Sequence, residues 1–309
     1  MKIVLLDTLT FGDTDLSGFS RFGEVGMYET TAPFQTQERI TNANVIVTNK
    51  VVIDDALMAH AKDLKLICIA ATGMNNVDLE AAKRRGIEVK NVSGYSTDSV
   101  IQHTFSLLLY LLEHARYYDD VVKSGTYAKS PIFTDVSRPF FEIKNKRWGI
   151  IGMGEIGRGV ARVAEAFGAE VWYHSTSGAN TAQPFSHVDL ETLLRTCHII
   201  SIHAPLNEKT KNLLGCEQLL LCRQKAIVLN LGRGGIIDEE AVARLVDERE
   251  IYFGLDVLEK EPMREDHPFL RVQNKERLYV TPHIAWTSHE AREKLIAGVI
   301  ANIENFLKG

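Results

Sequence analysis

The chain has 309 residues, 45% of them apolar and 24% charged, with a formal net charge of −5 and a mean hydropathy of −0.08. That length suffices for a large core and suggests two domains. The absence of a basic domain or Lys/Arg cluster argues against a nucleic-acid partner. The start, MKIVLLDTLT, reads as a first strand without the layout of a signal peptide, and the longest apolar stretch, residues 99–112, is interrupted by Gln102 and His103 and is too short to span a bilayer. Cys68, Cys197, Cys216 and Cys222 form neither a CxxC pair nor a metal spacing. These features predict a cytoplasmic protein with no membrane partner and no metal, its cysteines serving as small buried hydrophobes.

From the N-terminus, strand signals fall at residues 2–6, 25–29, 44–48, 66–70 and 87–92, with helix-compatible segments between most of them, for example 54–61 and 77–85. The alternation predicts a compact parallel α/β unit. Residues 99–112 read as a buried helix. Residues 117–147 then read as an irregular arm carrying Tyr117, Tyr118, Tyr127, Phe133, Phe140 and Phe141 among turn residues. So many rings must be buried somewhere, either against their own domain or at a subunit interface, where aromatic anchors are enriched; the interface is the expectation, and with it a homodimer.

The strongest signal lies in residues 146–177, KRWGIIGMGEIGRGVARVAEAFGAEVWYHSTS. A short apolar run at 148–151 suits a buried parallel strand, Gly152, Gly154 and Gly157 follow at G-x-G-x-x-G spacing, and 158–167 reads as a helix. The first glycine allows the tight turn, the second lets the backbone approach a pyrophosphate, and the third lets helix and strand pack closely. Free N–H groups and a partial positive charge at the helix N-terminus favour the phosphates. This context predicts a dinucleotide cofactor. An acidic residue about 20 positions beyond the glycines usually accepts from the adenosine ribose. Ser175 stands there, so no carboxylate opposes a 2′-phosphate, and no Arg or Lys lies within residues 174–183 to attract one. The choice between NAD and NADP stays open on these residues, with NADH expected to be used and NADPH tolerated.

From the fingerprint onward, strand signals at 148–151, 170–173, 198–203, 226–231, 251–256 and 278–280 give six, the number in a doubly wound dinucleotide fold. Residues 288–307 read as a helix with Ile296, Val299, Ile300, Ile303 and Phe306 on one face. Three clusters follow strand ends, where open α/β sheets bind ligands. Asn230-Leu231-Gly232-Arg233-Gly234-Gly235 puts an arginine fork, suited to a carboxylate, on a glycine-flanked turn. Residues 254–262 bring Asp256 to a strand end and Glu261 before a proline. Thr281-Pro282-His283-Ile284-Ala285-Trp286 supplies a histidine.

In this order the glycine loop, Asn-x-x-Arg-Gly, Asp-Val-x-x-x-Glu-Pro and Pro-His motifs, together with Ala71-Thr72-Gly73-Met74-Asn75-Asn76-Val77-Asp78 and His203-Ala204-Pro205, resemble the D-isomer-specific 2-hydroxyacid dehydrogenase family over almost the whole chain. Trp286 and Tyr95-Ser96-Thr97-Asp98-Ser99 resemble its glycerate dehydrogenase or hydroxypyruvate reductase branch. The resemblance implies a Rossmann dinucleotide-binding domain, residues 99–285, inserted into a flavodoxin-like substrate domain, residues 1–98 and 286–309, with hinges near Asp98 and Ala285. Both are doubly wound parallel sheets. It implies Arg233, Glu261 and His283 as catalytic residues, with Arg233 on the substrate carboxylate and carbonyl, His283 as acid/base and Glu261 as its partner. Substrate binding falls to Thr72, Gly73, Met74, Arg233 and His283. Cofactor binding falls to Gly152, Gly154, Glu155, Ile156, Gly157, Ser175, His203, Ala204, Pro205, Thr210, Leu231, Gly232 and Asp256, the last near the nicotinamide carboxamide. The implied reaction is reversible reduction of a small 2-keto acid, hydroxypyruvate or glyoxylate, to the D-2-hydroxy acid. The other readings are a dehydrogenase for pyruvate or a larger 2-keto acid and an NAD-sensing scaffold of the corepressor kind; Glu261 speaks against a formate dehydrogenase, which resembles this family with Gln at that position.

Overall fold

The computed structural model describes residues 1–309. In chain order its elements are β1 (Lys2–Leu5), β2 (Glu24–Met27), α1 (Pro33–Ile40), β3 (Val45–Thr48), α2 (Asp55–His60), β4 (Leu66–Ile69), α3 (Leu79–Arg84), β5 (Glu88–Asn91), α4 (Thr97–Leu112), α5 (Ala115–Lys123), β6 (Arg147–Ile151), α6 (Glu155–Ala166), β7 (Glu170–His174), β8 (Ser186–His187), α7 (Leu190–Thr196), β9 (Ile199–Ile202), α8 (Cys216–Leu221), β10 (Ile227–Asn230), α9 (Glu239–Glu248), β11 (Tyr252–Leu255), β12 (Leu278–Val280) and α10 (His289–Lys308). The chain divides into two compact units: Met1–Ser96 with Trp286–Gly309, and Thr97–Ala285. No helix is long and apolar enough to cross a membrane.

In the first unit five parallel strands run in the order β2-β1-β3-β4-β5, a flavodoxin-like arrangement. Strand periodicity sorts the side chains between two cores. Val4, Leu6, Ile46, Ile67 and Ile69 join Ile40, Met58, Ala81 and Ala82 on one face. Ile3, Leu5, Val45, Val47, Leu66 and Cys68 face Leu295, Ile296, Val299 and Ile303 of α10 on the other. The apolar stripe read in residues 288–307 is therefore the cover of this sheet. Asp54, Asp78 and Ser288 start α2, α3 and α10 by accepting the N–H of Leu57, Ala81 and Ala291 with their side chains.

The second unit holds seven parallel strands, β12-β11-β10-β9-β6-β7-β8, one more than the six signals in the sequence. The additional strand, β8, is two residues long and pairs Ser186 and His187 with Trp172 and Tyr173 at the edge. Two residues cannot show an alternating pattern. Ile151, Ile200, Ile202, Val228 and Phe253 pack with residues of α7 to α9, while Trp148, Ile150, Val171, Tyr173 and Leu229 pack with α4 and α6. Buried Trp148 satisfies its indole N–H on Ser201 Oγ at 2.9 Å.

The arm at 117–147 is less irregular than its composition suggests. It opens inside α5, whose helical residues include both Tyr117 and Tyr118, and a 3₁₀ turn follows at Tyr127–Lys129. Phe141 and Ile143 pack into the core of the second unit, whereas Phe133 and Val136 stay 89% and 74% exposed.

Candidate active site

The glycine turn is built by close approach. Gly152 has φ +94, and a Cβ there would lie 2.8 Å from Ala204 N; a Cβ on Gly157 would lie 2.2 Å from Gly152 O. Side chains are excluded at both, as a strand–turn–helix seam demands. Gly154 differs, for nothing lies within 4 Å of a Cβ built on it. It is the N-cap of α6 and makes no side-chain cap, so the first N–H groups of the helix face open space. Such a cradle fits a pyrophosphate. Ile156 packs toward the core beneath it, while the Glu155 carboxylate accepts from Thr97 Oγ1 at 3.1 Å.

Ser175 directly follows β7 and is buried, its Oγ accepting the Asn180 N–H at 3.3 Å. After β9, Thr210 closes the 205–210 turn by donating to Pro205 O at 2.6 Å. Ala204 sits between glycines, because a Cβ on Gly232 would approach its carbonyl oxygen to 2.7 Å. His203 is the electrostatic outlier. Both its ring nitrogens are buried without a partner, and burial pushes the imidazole down to about 3.

After β10, buried Leu231 leads into a turn locked by Asn230, which accepts the Gly232 N–H at 3.1 Å and donates to Arg233 O at 2.9 Å. Arg233 Nη1 rests on Gly232 O at 2.8 Å. Glu261 accepts the Leu258 N–H at 3.0 Å through Oε1 and meets His283 Nδ1 at 2.7 Å through Oε2. His283 adopts φ +54, an uncommon conformation for a non-glycine residue. Asp256 maintains it: its buried carboxylate takes the Thr281 hydroxyl and the N–H groups of Ile284 and Ala285. The carboxylate that the resemblance puts near a carboxamide is thus engaged with the loop carrying His283. Arg233, Glu261, His283 and Asp256 all belong to the unit that holds the glycine turn.

In the other unit, Thr72, Gly73 and Met74 follow β4. Thr72 is tied to the end of β5, donating to Val92 O at 3.2 Å and accepting Asn91 Nδ2 at 2.7 Å. Asn76 Nδ2 donates to Val51 O at 3.1 Å and bridges this loop to the one after β3. That loop is clamped in turn by buried Asp7, which accepts the Asn49 and Lys50 N–H groups.

The family profile described as "D-isomer specific 2-hydroxyacid dehydrogenase, NAD binding domain" matches residues 105–285. The chain belongs to this family. A hydroxypyruvate reductase of Blautia hydrogenotrophica is 33% identical over 100% of this chain and 98% of its own. A glycerate dehydrogenase of Methylorubrum extorquens is 35% identical over 100% and 96%. Among solved structures, the TT0316 protein of Thermus thermophilus superposes with a TM-score of 0.89 at 28% identity, covering 100% of this chain and 97% of that one. A 2-hydroxyacid dehydrogenase of this family is an NAD-dependent oxidoreductase with two parallel α/β domains, in keeping with the two sheets described above.

Three residues of the site escape a reading by motif. Thr281 and Asn180 act through side-chain hydrogen bonds that only the folded loops define. His103 stands 3.5 Å from Asp256 and 3.1 Å from Thr281 Oγ1, at a sequence separation that leaves no local signal. Asn230 carried one, since Asn before a glycine turn bonds to its own backbone.

Proposed function

We propose that this chain reduces hydroxypyruvate or glyoxylate to the D-2-hydroxy acid with a reduced nicotinamide dinucleotide, reversibly. The observation that carries the reading is the 2.7 Å pair between Glu261 Oε2 and His283 Nδ1. A carboxylate on Nδ1 fixes the orientation and tautomer of the ring, leaving Nε2 to hand a proton to substrate. The dinucleotide supplies the hydride when bound. As charge grows on the carbonyl oxygen at C2, Arg233 stabilises it, and the His283 Nε2 proton quenches it. In the reverse direction neutral His283 takes the hydroxyl proton. Arg233 also binds the substrate carboxylate bidentately, and Thr72, Gly73 and Met74 are the substrate-binding residues of the first unit.

The division of labour follows: residues 99–285 bind the dinucleotide, through the glycine turn, Ser175, residues 203–205, Thr210, Leu231 and Gly232, and residues 1–98 with 286–309 bind substrate. Asp256 serves by holding the His283 loop. The exposed Ile132, Phe133 and Phe140 of the arm support a homodimer, because large apolar side chains left uncovered in one segment gain from burial on association. Four free cysteines, three of them buried, support a cytoplasmic location.

Steady-state assays with hydroxypyruvate, glyoxylate, pyruvate and a branched 2-keto acid, with NADH and NADPH, test the activity. Turnover of the two small substrates and loss of it in Arg233→Ala, with cofactor binding retained, is the expected result. Cofactor binding with no 2-keto acid reduced would favour the scaffold reading. Sedimentation at micromolar concentration tests the dimer, and a stable monomer would refute it.

A further inference from the structure

Arg158 lies in the first turn of α6, partly exposed, and donates Nη1 to the backbone oxygen of Met153 at 3.2 Å. Asn180, in the loop after β7, donates Nδ2 to that same oxygen at 2.5 Å, and Gln183 Nε2 holds the Asn180 amide through Oδ1 at 2.6 Å. Two donors sharing one acceptor are neighbours. The guanidinium therefore stands at the edge of the 175–183 loop although it comes from another element, and it supplies a cation that the loop itself lacks.

This edge is where a dinucleotide fold reads the adenosine ribose. Arg158 makes no ion pair, and its bond to Met153 O leaves the other N–H groups of the fork to a ligand. Beside it, Ser175 Oγ and Ser177 Oγ accept the Asn180 and Ala179 N–H groups and stand 3.4 Å from each other, so one hydroxyl proton bridges the pair and the other remains to be donated. Where the fingerprint would carry an acid, the strand runs into Ser175, Thr176 and Ser177. A guanidinium with free donors, flanked by hydroxyls and opposed by no carboxylate, is a receptor for a phosphate dianion.

We propose that Arg158 recognises the 2′-phosphate of a phosphorylated nicotinamide dinucleotide, so that the chain binds NADPH more tightly than NADH. The proposal rests on the dinucleotide reading above, and it revises the NADH preference expected from Ser175 alone. The phosphate draws on the charge of Arg158 and on the hydroxyl proton that the Ser175–Ser177 pair leaves free, whereas the 2′-hydroxyl of NADH offers no charge to either.

The test is calorimetric titration of the purified protein with NADPH, NADH, 2′,5′-ADP and 5′-AMP, without substrate. The expected result is NADPH binding about tenfold more tightly than NADH, ~1.4 kcal/mol, with 2′,5′-ADP likewise ahead of 5′-AMP. In Arg158→Gln, which can still donate to Met153 O, the NADPH-to-NADH ratio should fall to near one, and Arg158→Lys should restore part of it. Equal affinity of the wild type for 2′,5′-ADP and 5′-AMP, or an unchanged ratio in a folded Arg158→Gln, overturns the proposal while leaving the dinucleotide reading intact. Failure to bind any of the four overturns both.

Discussion

Asp256 Oδ1 accepts the Thr281 hydroxyl at 2.7 Å and the Ile284 N–H at 2.8 Å, while Oδ2 takes the Ala285 N–H at 2.9 Å. Three donors flanking His283 thus converge on one carboxylate that is 1% exposed. Removing it takes one acceptor from all three at once, at about 1–3 kcal/mol for a donor that stays buried without another; the Thr281 hydroxyl keeps His103 Nε2 at 3.1 Å. Asp256→Ala should therefore lower the urea midpoint and also reduce turnover at pH 7 by more than tenfold, because the left-handed backbone of His283 loses its tether. Full activity in a folded Asp256→Ala would show that the loop holds itself.

The glycine turn separates two kinds of glycine, and substitutions should separate them too. A Cβ at Gly157 meets backbone at 2.2 Å, whereas at Gly154 it meets open space. Gly157→Ala is expected to destabilise the fold, and Gly154→Asp to leave the melting temperature nearly unchanged while abolishing dinucleotide binding by clash and repulsion. Retained binding in Gly154→Asp would move the pyrophosphate elsewhere.

Glu155 places a carboxylate in the first turn of the helix that is to receive the pyrophosphate, drawn aside by Thr97. A negative charge at a helix N-terminus is stabilised by the dipole, and it opposes a second anion there by a comparable amount, roughly 0.3–1 kcal/mol. Glu155→Gln should tighten dinucleotide binding by about two- to fivefold at low salt, with less effect at high salt. Weaker binding in the variant would mean that the Glu155 carboxylate contributes directly to the cradle.

His203 makes acid sensitivity predictable. Burial holds its imidazole at about 3 against an ordinary 6.5. Between those values the unfolded chain takes up a proton that the folded chain refuses. The stabilisation is full above pH 6.5 and is lost as pH falls toward 3, by up to about 1.4 kcal/mol per pH unit. His203→Asn should flatten the fall of the urea midpoint between about pH 6 and pH 4. Some slope should remain, because burial and Arg223 lower His198 to about 4. An identical pH profile in the variant would exclude His203 as a source.

Periodicity and glycine spacing made the two α/β units and the catalytic loops legible, because strands buried on both faces read as apolar runs and turns of this kind admit few residues. β8 was not legible, being too short for a pattern. The arm was misread as irregular throughout because aromatic and turn residues masked the helix around Tyr117. In the site, Arg233, Glu261 and His283 sat in recognisable motifs. The reach of Arg158 to Met153 O and of Asn180 to the same atom depends on how a loop folds back, which local sequence does not encode.

The return of α10 to the first sheet sets an order of events during synthesis. Ile3, Leu5, Val45, Val47 and Leu66 have their partners in Leu295, Ile296, Val299 and Ile303, so that face stays uncovered while the intervening unit emerges from the ribosome. Thr97–Ala285 contains its own sheet and helices and can complete its core first. The earliest residues made are then among the last to be sealed, and in the interval the nascent chain presents a sticky apolar sheet face of the kind that holdase chaperones bind.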